Sequence, residues 1–120
     1  CEVISVPCPG LAGRIERGDL AAADLREMIR GYVGSFAGTV GSVVLGCTHY
    51  PFVRRQIAEV LGGDVRFYDG GAGTARQLRH RLGECGLLAD ESHAGSVSFA
   101  SSEDTPDELA LYREFFEMEL

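Results

Sequence analysis

A cysteine, a threonine and a histidine follow one another in residues 45–51, which read LGCTHYP. A lone cysteine is usually a small buried hydrophobe, so Cys47 by itself indicates little. His49 lies two residues further on, where an imidazole can hold or pass a proton near neutral pH. Thr48 adds a hydroxyl and a backbone N–H that suit a carboxylate. Together these groups fit acid–base chemistry on a small anionic molecule, and they equally fit nucleophilic attack by sulfur, as in a cysteine hydrolase.

The position of Cys47 favours chemistry over simple burial. It follows a continuous apolar run, residues 42–46, which is typical of a strand covered on both faces. A helix is predicted to begin near Pro51, and a helix N-terminus favours the thiolate form of a nearby cysteine. In parallel sheets, reactive groups gather beyond the carboxyl ends of the strands. We therefore expect Cys47 at such an edge.

The elements that must position these residues alternate between short β-branched runs and longer helical stretches. Strands are predicted at residues 2–6, 42–46, 65–69 and 96–101, and helices at residues 20–36 with Asp19 as N-cap, 52–61, 73–88 and 104–120. The last helix has the clearest start, because Thr105 can cap it, Pro106 fits its first position and Glu108 completes a capping box. This alternation predicts an α/β fold with a largely parallel sheet.

Composition excludes several other classes of function. The chain has 120 residues and a net charge of -7, so no basic surface for a nucleic acid is expected. The longest uncharged run is far shorter than the roughly 20 apolar residues of a membrane helix. Four cysteines without a CxxC pair, and three scattered histidines, predict no metal site and reduced thiols in a cytoplasmic protein. The glycines of residues 69–73 fit no nucleotide-binding fingerprint and are expected to form a tight turn.

The motifs resemble those of a known family. VVLGCTHYPFVRRQIAEVLG and YDGGAGTARQL are similar to the C-terminal half of glutamate racemases. VPCPGLAGRIERG resembles the segment that precedes them, and SVSFASSED with YREFF resembles the closing strand and helix. His49 distinguishes this motif from aspartate racemases of the same superfamily, which commonly carry an acidic residue after GCT. The resemblance spans essentially the whole chain.

This resemblance implies racemisation of glutamate by two cysteines, without a cofactor, to supply D-glutamate for peptidoglycan. Cys47 matches the second of the two catalytic cysteines. Thr48 and His49 match substrate-binding positions, His49 also matches a group that assists the second cysteine, and Glu16 matches an acidic residue that orients that histidine. All three of Cys47, His49 and Glu16 are therefore expected to be catalytic.

The resemblance further implies two α/β lobes, each of three layers, with the active site between them. Residues 1–50 would then be part of the second lobe, and residues 51–120 would be the return segment that completes the first. The first catalytic cysteine belongs to an N-terminal half that this sequence does not contain, since Cys1, Cys8 and Cys85 do not match it. The chain begins without methionine inside an expected strand, so we expect a piece of a longer enzyme. By itself it should be inactive.

Three alternatives stay open. The chain could derive from an aspartate racemase or another amino-acid racemase of the superfamily. It could be a cysteine hydrolase that uses Cys47 with His49 and forms an acyl-enzyme. It could also be a non-catalytic α/β module that holds a small carboxylate through Thr48 and the helix start at Pro51. The expected partner is glutamate, and dimers are common in the family, which allows a homodimer.

Overall fold

A computed structural model describes residues 2–103 and 105–118 of the chain. The described residues form helices α1 (Leu11–Ile15), α2 (Ala23–Val33), α3 (Arg54–Leu61), α4 (Gly71–Glu84) and α5 (Pro106–Glu117), and strands β1 (Ser42–Val44) and β2 (Arg66–Tyr68). Short 3₁₀ turns occur at Gly34–Phe36 and Tyr50–Val53. The contacts divide these residues into two compact units, one of residues 2–69 and one that starts at Gly70.

The first unit contains a hydrophobic core between α1, α2 and α3. Apolar residues recur along α2 with helical spacing, and this stripe packs against the two shorter helices. Among the described residues, eight apolar side chains are buried: Leu11, Ile15, Leu25, Ile29, Leu45, Val53, Ile57 and Leu61. Each fully buried aliphatic side chain contributes about 1.5–3 kcal/mol to stability. This core fixes the helices that flank the turn formed by Cys47, Thr48 and His49, here called the CTH turn.

Strands β1 and β2 pair in parallel, with Val43 opposite Phe67. This confirms the α/β class with a parallel sheet. The expectation that residues 42–46 are covered on both faces was wrong for this chain, because the side chains of β1 run exposed, half-buried, exposed, and Val44 keeps 76% of its surface. A parallel strand is buried only when further strands and helices surround it, and β1 has one neighbouring strand among the described residues.

Two of the four predicted strands do not form. Residues 2–6 and 96–101 have no regular secondary structure. Both stretches have strand-like side chains, but a strand also needs a neighbour that pairs with its N–H and C=O groups. No described strand lies beside either stretch. The side-chain pattern therefore predicted the tendency of these residues to form strands, but it could not predict whether a neighbouring strand pairs with them.

The starts of two helices differ from prediction. Helix α2 begins at Ala23 and not after Asp19, since Asp19 adopts a left-handed conformation (φ 45°) in the preceding turn. The helix expected at Pro51 starts instead as the 3₁₀ turn, and regular α-helix follows from Arg54. Because a 3₁₀ turn is tighter than a turn of α-helix, the chain can change direction sharply after β1.

The second unit is stabilised by hydrogen bonds between residues that are close in sequence. Helix α4 ends in a Schellman motif, in which Gly86 takes φ 66° and the Leu87 N–H donates to the Leu82 carbonyl at 2.9 Å. Helix α5 starts as predicted, with the Thr105 hydroxyl accepting from the Glu108 N–H at 3.3 Å. The Glu108 carboxylate does not complete the capping box but accepts from Ser101 and Tyr112. None of the described side chains in this unit is fully buried.

Among the residues that the structure describes, no helix combines the length and the apolar character needed to cross a lipid bilayer.

Candidate active site

The CTH turn connects β1 to the 3₁₀ turn. Leu45 is buried and anchors the end of the strand, whereas Cys47 and His49 are half-buried and Thr48 is exposed. The Tyr50 N–H donates to the Cys47 carbonyl at 3.2 Å, which closes the turn. The Cys47 sulfur lies 3.7 Å from His49 Nδ1, within hydrogen-bond reach for sulfur. The Cys47 thiol is thus not enclosed by the core, and it lies close to the His49 imidazole.

His49 is held from its other side by Glu16. Its Nε2 lies 2.8 Å from Glu16 Oε1, and the two residues are 33 positions apart in sequence. A carboxylate can only accept at Nε2, so in the neutral imidazole Nε2 carries the proton and Nδ1 is left as an acceptor. Nδ1 is the nitrogen that faces Cys47 and, at 3.4 Å, the Thr48 hydroxyl. The arrangement can take a proton from the thiol or return one to it.

Glu16 is positioned by the contacts that hold α1 against α2. It caps the C-terminus of α1, where its N–H donates to the Ala12 carbonyl. The preceding turn carries Arg14, whose guanidinium makes a bidentate contact with Asp24 of α2 at 2.7 and 2.8 Å. The same group donates to the Gly18 carbonyl at 2.9 Å. This fork fixes α1 on α2, and α1 in turn presents Glu16 to the imidazole.

The structure thus brings together all four residues that the sequence singled out: Cys47, Thr48, His49 and Glu16. They come from two places, the CTH turn and the end of α1. Their catalytic and binding roles stay a prediction, since geometry alone assigns no reaction.

No family model matches the chain. Comparison with curated proteins finds glutamate racemases. The glutamate racemase of Pseudomonas putida strain F1 is 48% identical over 104 residues, which is 86% of this chain and 39% of the relative. That of Clostridium perfringens strain ATCC 13124 is 36% identical over 118 residues, 98% of this chain and 45% of the relative. Among solved structures, the Francisella tularensis glutamate racemase in complex with D-glutamate superposes with a TM-score of 0.75 at 26% identity, covering 99% of this chain and 45% of that one.

The chain is homologous to glutamate racemases. It matches the C-terminal part of these relatives and spans about two fifths of their length. The resemblance inferred from the GCTHYP motif is therefore confirmed. The division into residues 1–50 and 51–120 between two racemase lobes stays a prediction.

Two neighbours of the site, Cys8 and Tyr50, were missed by sequence reasoning. Cys8 was set aside because it does not match a racemase catalytic motif, but a hydrogen bond joins its thiol to the Tyr50 hydroxyl, and Cys47 is near enough to interact with it electrostatically. Burial raises the pKa of the Cys8 thiol, and the nearby Cys47 raises it further, whereas the Tyr50 hydrogen bond lowers it. The signal was available, since Cys8 follows residues 2–6 as Cys47 follows β1.

The remaining histidines, His80 and His93, lie away from this site in sequence and are exposed. His80 faces Glu84 on α4 at 3.5 Å, and the His93 N–H closes a turn onto Asp90. Within residues 2–103 and 105–118 no group of three potential metal ligands comes together. The tight turn expected over residues 69–73 is limited to Asp69 and Gly70, because α4 already begins at Gly71.

Proposed function

We propose that this chain carries one half of the active site of a glutamate racemase, an isomerase that interconverts L- and D-glutamate without a cofactor and supplies D-glutamate for peptidoglycan. The observation that carries the proposal is the contact of Cys47 with His49, and of His49 with Glu16, in a chain whose relatives are glutamate racemases. The Francisella tularensis neighbour, in complex with D-glutamate, supports the substrate. Cys8, Cys47 and Cys85 are free thiols, which suits a cytoplasmic enzyme.

Cys47 is the acid–base group for one face of the substrate α-carbon. In the L-to-D direction its thiolate takes the α-proton, so the Cα–H bond breaks, an S–H bond forms and the electron pair stays on the carbon beside the carboxylate. A thiol on the opposite face, from the part of the enzyme outside this chain, then gives its proton to that carbon. The configuration inverts, and the two sulfurs have exchanged protonation states. Neither an oxidant nor a cofactor is consumed.

Thr48, His49 and Glu16 support this transfer in different ways. The Thr48 hydroxyl and backbone N–H bind a substrate carboxylate, and His49 contacts the substrate while it exchanges a proton with Cys47 through Nδ1. Glu16 acts through His49, because its contact at Nε2 sets which ring nitrogen accepts. A general base must lie within hydrogen-bond reach of its proton, and a positioned one contributes typically 10²- to 10⁴-fold to rate.

The chain by itself lacks the opposing thiol and is inactive. In the complete enzyme, residues 1–50 contribute to the second lobe, residues 51–120 return to the first, and the site lies between the lobes. Two such enzymes form a homodimer. Glutamate is the small-molecule partner.

The test uses a chimera in which this chain replaces the aligned C-terminal portion of the Pseudomonas putida F1 glutamate racemase. Circular dichroism should show racemisation of L-glutamate by the chimera and none by the chain alone. Cys47→Ser should abolish turnover and the exchange of the α-proton of L-glutamate with deuterated water, whereas Cys85→Ser, a change at an exposed thiol, should leave both intact. Turnover by the isolated chain, or by the Cys47→Ser chimera, contradicts the proposal.

A further inference from the structure

The segment from Cys8 to Glu16 contacts the chain around the CTH turn at both of its ends. At the C-terminal end, Glu16 Oε1 lies 2.8 Å from His49 Nε2. At the N-terminal end, a hydrogen bond joins the Cys8 thiol to the hydroxyl of Tyr50, the residue that follows His49. One segment thus holds two successive residues of the half-site, and the function proposed above uses only the first of these contacts.

Tyr50 is tied to Cys47 through the backbone. Its N–H donates to the Cys47 carbonyl at 3.2 Å, so the CTH turn is closed by a residue whose side chain is anchored elsewhere. Tyr50 is half-buried, and Cys47 is near enough to interact electrostatically with both Tyr50 and Cys8. A displacement of the Tyr50 side chain would therefore be passed directly to the backbone that carries the Cys47 sulfur.

Cys8 is a fixed partner for the Tyr50 hydroxyl. Its thiol donates to the Val6 carbonyl at 3.5 Å, which leaves the sulfur free to accept from Tyr50. Its own carbonyl accepts from the N–H of the first residue of α1 at 3.2 Å, and the next carbonyl, that of Pro9, accepts from the Tyr32 hydroxyl of α2. Two helices therefore hold this short segment in place.

The protonation of Cys8 suits a holding role. Burial raises the pKa of its thiol, and this effect exceeds the lowering by the Tyr50 hydrogen bond. Cys8 therefore keeps its proton near neutral pH and does not act as a second base beside Cys47.

We propose that Tyr50 is a positioning residue for racemisation, which, anchored on Cys8, holds the CTH turn so that the Cys47 sulfur stays directed at the substrate α-carbon. The proposal rests on the proposed function for the reaction that Cys47 performs. Glu16 sets which nitrogen of His49 accepts a proton, whereas Tyr50 sets where the sulfur lies. Placement matters because a base must lie within hydrogen-bond reach of the proton it removes, and a small displacement of a positioned group costs rate.

The test uses the chimera with the Pseudomonas putida F1 enzyme. Tyr50→Phe removes only the hydroxyl, and kcat should fall about 2- to 12-fold, the rate equivalent of one hydrogen bond, with little change in KM. Cys8→Ala should cause a similar fall, and Cys8→Ser, which keeps an acceptor for Tyr50, should restore kcat. The double variant Tyr50→Phe with Cys8→Ala should lose no more than the larger single loss, because both changes remove the same hydrogen bond. Tyr112→Phe is the matched control, since Tyr112 is also half-buried and gives up a hydrogen bond to Glu108, 2.6 Å long, in the second unit.

A second readout distinguishes positioning of Cys47 from a general loosening of the protein. It is the deuterium isotope effect on kcat/KM, measured separately with L- and D-glutamate deuterated at the α-carbon. Cys47 removes the α-proton of L-glutamate, and the opposing thiol removes that of D-glutamate. A displaced Cys47 makes its own step more rate-limiting, so in Tyr50→Phe the isotope effect should rise with L-glutamate and fall with D-glutamate.

Several results would overturn the proposal: an unchanged kcat in Tyr50→Phe, an equal loss in Tyr112→Phe, losses that multiply in the double variant, or isotope effects that move in the same direction with both enantiomers. If Cys8→Ala does not fold, Cys8→Val takes its place in the double variant. Full turnover by the Cys47→Ser chimera rejects the proposed function and this proposal together. An active chimera that depends on Cys47 but is indifferent to Tyr50→Phe rejects this proposal alone.

Discussion

Replacing Glu16 by glutamine tests whether this residue acts on the reaction through His49. The substitution keeps the length of the side chain but removes its charge and lets an amide N–H face the imidazole. The glutamine amide offers Nε2 either a donor or an acceptor, so the proton is no longer held there and Nδ1 is no longer reserved as the acceptor beside Cys47. The chimera should therefore lose part of its kcat while its affinity for glutamate changes little.

The size of the expected loss in kcat follows from the exposed fractions of the Glu16 and His49 side chains. The side chains of Glu16 and His49 are 62% and 28% exposed, so water screens their contact although it is only 2.8 Å long. Exposed charged contacts contribute about 0.2–1 kcal/mol, and since 1.4 kcal/mol is a factor of ten in rate, the expected loss is about 1.4- to 5-fold. Cys47→Ser removes the acid–base group itself, and its loss should reach at least the 10²- to 10⁴-fold of general acid–base catalysis. The large ratio between the two losses distinguishes a positioning residue from a catalytic one.

The assay is the rate of L-glutamate racemisation followed by circular dichroism across a pH series. Glu27→Gln is the matched control, since Glu27 is an exposed carboxylate, 70% accessible, that pairs with Arg30 at 2.9 Å outside the site. It should leave both kcat and its pH profile unchanged, whereas Glu16→Gln should alter the profile as well as the rate. A loss of more than 100-fold for Glu16→Gln, or an equal loss for Glu27→Gln, would refute the reasoning.

Three further predictions concern the chain itself. Leu25→Ala should lower the free energy of unfolding in urea by about 2–5 kcal/mol, because Leu25 is fully buried in the first unit. The Arg14 guanidinium lowers the pKa of Asp24 from 3.8 to about 2, so this pair stabilises the fold above pH 3.8 and loses its contribution as pH falls towards 2; Asp24→Asn should remove that part of the acid dependence of thermal unfolding. Because burial raises the pKa of the Cys8 thiol, iodoacetamide at pH 8 should alkylate Cys8 more slowly than the exposed Cys85, as mass spectrometry of the peptides would show.

The local parts of this fold and site could be read from the sequence. Thr105 caps its own helix, and Cys47, Thr48 and His49 are neighbours along the chain, so residue type and spacing were enough to predict them. Glu16 is 33 residues from His49, and only the family resemblance connected the two. Cys8 was overlooked because its one signal in the sequence is that it follows a β-branched run, and its contact with Tyr50 depends on how distant segments fold together.

Strands were predicted least well, for a related reason. Residues 2–6 and 96–101 have the side chains of strands, but no described strand pairs with them. A helix satisfies its own backbone, whereas a strand depends on another segment. Consequently the helices α3, α4 and α5 were predicted nearly as observed, and two of the four strands were not.

The contacts of the half-site, between Cys47 and His49 and between His49 and Glu16, all come from residues of the first unit. Cys47 reaches His49, and His49 reaches Glu16, through a turn and a helix that are fastened by the Arg14–Asp24 fork and by the core around Leu25. None of these contacts requires the opposing thiol. Under the proposed function, catalysis in the chimera therefore depends on delivering that thiol to the far face of the substrate, since Cys47, His49 and Glu16 already form their contacts within this chain.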